Sequence, residues 1–77
     1  MAQILSPLPG TFYRRPSPDQ PPFKEVGDAV AVGDVVGIVE VMKSFNQVTA
    51  DMAGTITAFL AEDEDAVMPG QPLVELT

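Results

Sequence analysis

Hydrophobic and polar positions along this chain follow the short period of β-strands and never the longer one of helices. Thr11 to Tyr13, Val35 to Val41, Gln47 to Ala50, Thr55 to Leu60 and Leu73 to Leu76 are short, rich in β-branched or aromatic residues, and separated by Gly, Pro or Asp. Eight prolines and six glycines in 77 residues interrupt the chain every few positions, which leaves no window for a helix of ordinary length. The pattern predicts an all-β fold.

The run Val35 to Val41 leads into Met42-Lys43, and a second run follows it. Taking Met42 and Lys43 as the two central residues of a tight hairpin pairs Val41 with Ser44, Glu40 with Phe45, Val39 with Asn46, Ile38 with Gln47 and Gly37 with Val48. Two-residue hairpins favour the type I′ turn, with φ positive at both central residues. Asn-Gly adopts that turn readily and Met-Lys does not, so the tip is expected to carry strain imposed by its neighbours. Ile38 and Val39 are adjacent and both apolar, which predicts that both faces of the hairpin are partly covered.

The chain also repeats itself. Ala29-Val30-Ala31-Val32-Gly33-Asp34-Val35-Val36 aligns with Ala66-Val67-Met68-Pro69-Gly70-Gln71-Pro72-Leu73 at an offset of 37, and Gly10-Thr11-Phe12 aligns with Gly54-Thr55-Ile56 at 44. Since 44 − 37 = 7, the first half carries about seven extra residues between Phe12 and Ala29, and Pro16-Ser17-Pro18-Asp19-Gln20-Pro21-Pro22 is the candidate. Two like halves imply a quasi-two-fold sandwich or flattened barrel, with Lys43 in the segment that joins them.

Composition narrows the chemistry. A chain of 77 residues has room for one domain. With no cysteine and no histidine it lacks disulfides, thiolate or imidazole metal ligands and the commonest acid–base catalyst. Eleven acidic residues against four basic ones, a net charge of −7, repel a phosphate backbone, so no nucleic-acid partner is expected. No apolar run approaches the roughly 20 residues of a membrane span, and the opening Met1-Ala2-Gln3-Ile4-Leu5-Ser6 lacks the basic and apolar regions of a signal peptide. The expectation is a cytoplasmic protein without a membrane partner. No nucleophile–base pair or metal cluster can be assembled, and Lys43, with no acid or histidine within two residues, suits a covalent attachment point better than a catalytic base.

Glu40-Val41-Met42-Lys43 resembles the biotin-attachment motif of biotin carboxyl carrier domains, whose usual form is Glu-Ala-Met-Lys-Met. The resemblance runs over nearly the whole chain: Ser6-Pro7-Leu8-Pro9-Gly10-Thr11-Phe12-Tyr13-Arg14, Pro16-Ser17-Pro18-Asp19, Glu25-Val26-Gly27-Asp28, Val32-Gly33-Asp34 and Gly54-Thr55 look like the carrier of bacterial acetyl-CoA carboxylase. It implies a hammerhead of two four-stranded antiparallel sheets filling residues 1–77 as a single domain. It further implies biotin covalently bound to Lys43, with Glu40, Val41, Met42 and Ser44 read by a biotin protein ligase. The insertion, about residues 15–22, is implied to form a thumb beside the hairpin that can touch the biotin rings through Arg15, Pro16, Ser17, Pro18 and Asp19. Its prolines stiffen it.

Such a domain is a non-catalytic carrier between a biotin carboxylase and a carboxyltransferase, with acetyl-CoA carboxylation to malonyl-CoA for fatty acid biosynthesis the implied reaction. An ordinary lysine amine is protonated at neutral pH, so the ligase has to activate it. Amide formation would take the net charge from −7 to −8. Val41 stands where the family has alanine and Ser44 where it has methionine, and the expected effect of Ser44 is on the efficiency of modification. Two other readings stay open. A lipoyl carrier shares the sandwich and a hairpin lysine, though Met42 and the proline insertion argue against it, and an unmodified hammerhead interaction module is kept alive by Ser44.

Overall fold

Short β-branched runs broken by turn residues can satisfy their backbone groups only by pairing with one another. The structure, a computed structural model, describes residues 2–77, so Met1 of the expected domain lies outside the described residues. Eight strands follow in order: β1 (Ala2–Leu5), β2 (Gly10–Tyr13), β3 (Ala29–Val30), β4 (Val35–Val41), β5 (Ser44–Thr49), β6 (Gly54–Phe59), β7 (Asp65–Val67) and β8 (Pro72–Leu76). They form two four-stranded antiparallel sheets, β1-β8-β6-β3 and β5-β4-β2-β7. The five expected strands are present, Val35 to Val41 with the expected ends and the others with ends shifted by at most three residues. β1, β3 and β7 complete the eight strands that the resemblance implies, at positions the hydrophobic pattern does not mark.

The repeat is real at the level of single hydrogen bonds. Ala29↔Thr55 and Val30↔Gly54 on one side correspond to Ala66↔Thr11 and Val67↔Gly10 on the other, at the offsets of 37 and 44. The N–H of Gly33 donates to the Ala50 carbonyl at 2.8 Å, and Gly70 donates to Ser6 at 2.8 Å. Likewise Gly27 donates to Ile56 at 2.8 Å and Glu64 to Phe12 at 2.6 Å. The turn before β3, where Asp28 accepts from the Glu25 N–H, recurs before β7 with Asp65 accepting from Glu62. Phe12 to Glu25 spans 13 residues and Ile56 to Glu62 spans 6, so the extra seven lie between Phe12 and Glu25.

Equivalent side chains meet in one core: Phe12 with Ile56, Val39 with Leu76, Val36 with Leu73, Val48 with Ile4 and Val30 with Val67 are all buried. Burial of each contributes about 1.5–3 kcal/mol. Ser6 is the one buried polar residue among those described, and its hydroxyl donates to the Leu8 carbonyl at 2.7 Å. In the β1–β8 ladder the pair corresponding to Val39↔Asn46 is Ala2↔Leu76, so the two-fold relates the β4–β5 hairpin to the strands at the chain ends.

Candidate functional site

Register brings Val41 opposite Ser44, Glu40 opposite Phe45, Val39 opposite Asn46, Ile38 opposite Gln47 and Gly37 opposite Val48, as the hairpin count predicts. Met42 and Lys43 form the two-residue turn, with φ of 49° and 69°. Both are left-handed, which makes the tip type I′ and costs about 1–2 kcal/mol per residue. The turn is held because β4 is also paired to β2, and because the Asn46 side chain donates from Nδ2 to the Val39 and Ser44 carbonyls at 3.3 Å each. Lys43 and Ser44 are exposed, Met42 is 94% exposed, and Val41 is half-buried against the core. Lys24, the other lysine, is engaged: its Nζ lies 3.4 Å from an Asp34 carboxylate oxygen and 3.5 Å from the Ala29 carbonyl.

Both faces of the hairpin are at least partly covered, since Ile38 is buried as well as Val39, although Phe45 and Gln47 on the Ile38 face stay exposed. Ile38 lies at the floor of a groove of about 420 Å³ that opens beside the hairpin. One side is formed by the loop after β2, where the Phe23 N–H donates to the Arg14 carbonyl at 2.9 Å and closes the loop at its base. Within it Gln20 donates to Ser17 at 3.1 Å around Pro18-Asp19, a turn with proline in its preferred place. Arg14 anchors the base, donating its N–H to Asp63 at 2.7 Å and laying its guanidinium 3.9 Å from the centre of the Phe59 ring.

Arg15, Pro16, Ser17 and Pro18 all line the groove, together with Tyr13, Glu40 and Phe45 from the sheet and Asp63 and Glu64 from the β6–β7 turn. Asp19 does not; it sits exposed in the loop's own turn. Sequence reasoning missed Tyr13, Ile38, Phe45, Asp63, Glu64 and the brace at Asn46. The signal for Glu64 was its alignment with Gly27 at the offset of 37. The Tyr13 hydroxyl donates to Glu40 Oε1 at 3.2 Å. Its pKa is raised, first by desolvation, then by the hydrogen bond to Glu40 and the negative charges of Glu40, Glu64 and Asp63.

The arrangement therefore offers an exposed primary amine on a two-residue hairpin tip beside a groove, and among the described residues no group is placed to activate it. Among the described residues no cluster of His, Cys, Asp and Glu could hold a metal ion, and no helix is long and apolar enough to cross a membrane.

Comparison with known proteins agrees with this geometry. The family described as "Biotin-requiring enzyme" matches residues 2–76. The biotin carboxyl carrier protein of acetyl-CoA carboxylase from Haemophilus influenzae is 49% identical over 71 residues, which are 92% of this chain and 46% of that protein. The corresponding protein of Pseudomonas aeruginosa is 46% identical over 91% of this chain and 45% of its own length. A chloroplastic biotin carboxyl carrier protein of acetyl-CoA carboxylase from Arabidopsis thaliana is 50% identical over 91% of this chain and 28% of its own length. The chain thus spans less than half the length of each of these relatives. A match from residue 2 to residue 76 takes in both sheets and the hairpin tip, and the chain belongs to the family described as "Biotin-requiring enzyme".

Proposed function

We propose that this chain is a biotin carboxyl carrier domain, residues 1–77, that bears biotin on the Nζ of Lys43 and takes no catalytic part itself. The observation that carries the reading is the tip: of the chain's two lysines, one is tied to Asp34 and the other stands free on a type I′ turn that Met-Lys adopts only under strain. The residues fit a covalently attached group, since amide formation needs an accessible amine and leaves no buried charge behind. When bound, biotin supplies a ureido nitrogen that accepts and gives up CO₂.

The chain's own residues do the rest. Glu40, Val41, Met42 and Ser44 present Lys43 to a biotin protein ligase, Met42 by an almost fully exposed side chain. The β2 loop acts as the thumb, with Arg15, Pro16, Ser17 and Pro18 turned to the groove and Asp19 shaping its turn. The sandwich keeps the amine at one fixed end, so that a group tethered there reaches a biotin carboxylase and then a carboxyltransferase at high effective concentration. Acetyl-CoA carboxylation is the reaction served, as the relatives' names support, and malonyl-CoA its product. The carrier is read as cytoplasmic, with neither nucleic acid nor membrane among its partners.

Offering the purified chain biotin and a biotin protein ligase, and in parallel lipoate and a lipoyl ligase, tests this by intact mass and peptide mapping. One biotin on Lys43 is expected. Lipoylation alone, or no modification in either reaction, refutes it.

A further inference from the structure

The groove holds more negative charge than it balances. Glu40, Asp63 and Glu64 line it with a single cation, Arg15. Among the described residues the one ion pair is Lys24 with Asp34, neither of which borders the groove. Two of the carboxylates are oriented, Glu40 by the Tyr13 hydroxyl at 3.2 Å and Asp63 by the Arg14 N–H at 2.7 Å. The third is placed under strain.

Glu64 has φ of 72° where Gly27, its equivalent in the other half, has 96°. Both donate the same backbone hydrogen bond across the two-fold, to Phe12 and Ile56. Glycine makes that bond without penalty, so what the position keeps is the glutamate side chain rather than a backbone shape. The three carboxylates act on one space, for all of them push up the Tyr13 hydroxyl.

Besides the hydroxyl-bearing Tyr13 and Ser17, the rest of the lining is apolar: Pro16, Pro18, Ile38 and Phe45 suit an uncharged ring. Glu40 and Phe45, paired across the hairpin three and two residues from Lys43, belong to both the groove and the attachment element. The nearest occupant is therefore the group on Lys43 itself.

We infer that, given the carrier reading above, the groove sorts this group by charge, seating it while it is uncharged and expelling it once it is carboxylated, with Glu64 the residue that sets the sorting. Carboxylation by bicarbonate, driven by ATP, forms a bond from the ureido nitrogen to the carboxyl carbon; a C–O bond of bicarbonate breaks with its oxygen leaving in phosphate, the N–H proton passes to the medium, and the ring gains one negative charge. In a partly desolvated groove facing three like charges that form is disfavoured, whereas in solvent it is not. The empty ring is parked, and the loaded ring is released towards the next active site.

The test is NMR of the ¹⁵N-labelled chain in three states: unmodified, biotinylated, and biotinylated then carboxylated by a biotin carboxylase with ATP and bicarbonate. The amides of Ser17, Ile38, Phe45 and Glu64 are expected to move on biotinylation and to return most of the way on carboxylation. In Glu64→Gly, which relieves the strained φ and so folds, and in Glu64→Gln, the shift is expected to persist after carboxylation. Groove amides that ignore biotinylation, or that stay displaced after carboxylation in the unaltered chain, overturn the inference alone. A chain whose mass shows no biotin on Lys43 overturns this inference and the carrier reading together.

Discussion

The Phe12 ring rests on the bare backbone of Gly37, so closely that a Cβ on Gly37 would come within 2.5 Å of the ring. The two-fold puts Ile56 in place of Phe12 and Val74 in place of Gly37, so a large–none pair in one half fills the space of a medium–medium pair in the other. Gly37→Ala should therefore destabilise the fold by about 1–3 kcal/mol through overpacking. Urea denaturation measures it, and Phe12→Leu in the same chain should recover part of the loss because the two sites share one contact.

At the tip, attachment and stability are in opposition. Met42 and Lys43 hold left-handed φ values of 49° and 69°, so Met42→Asn and Lys43→Gly should each raise stability by about 1 kcal/mol. Thermal unfolding checks this. Lys43→Gly should at the same time lose all capacity for modification.

The hairpin was legible in the sequence because a two-residue tip leaves one possible register, and all five partners it pairs are compatible with a strand. The repeat was legible because turn residues recur at fixed offsets. β3 and β7, two and three residues long, are too short to show any period, and β1 reads as a nondescript Ala-Gln-Ile-Leu. Half of the groove was hidden for a different reason. Asp63 and Glu64 come within reach of the proline loop only because the second half folds back over the first, and no local pattern records that contact.

Asp34 ties acid stability to the β3–β4 turn. Its pKa lies below the usual 3.8, chiefly because its carboxylate accepts the Ala31 N–H, with Lys24 adding to the effect. A depressed carboxylate stabilises the fold above its unfolded value and loses that contribution as pH falls through the folded one. The stability gap between the unaltered chain and Asp34→Asn should be full at neutral pH and close progressively below 3.8. Urea melts across that range decide it.

Tyr13 is the only tyrosine in the chain, so phenolate absorbance reports on it alone. Its midpoint should lie above 10.0. Glu40→Gln should bring it down by removing both a hydrogen-bond acceptor and a charge, and Glu64→Gln should lower it less. A raised group of this kind stabilises the fold below its unfolded pKa and loses that contribution as pH rises through the folded value.

Which amine receives the cofactor is the point on which function turns. Incubating Lys43→Arg and Lys24→Arg side by side with biotin, ATP and a biotin protein ligase, and reading intact masses, gives the most direct answer. Lys24→Arg should gain one biotin and Lys43→Arg none, with both variants folded by thermal unfolding. Biotin on a folded Lys43→Arg chain, or a bare Lys24→Arg chain in a reaction that labels a known carrier, would contradict the assignment.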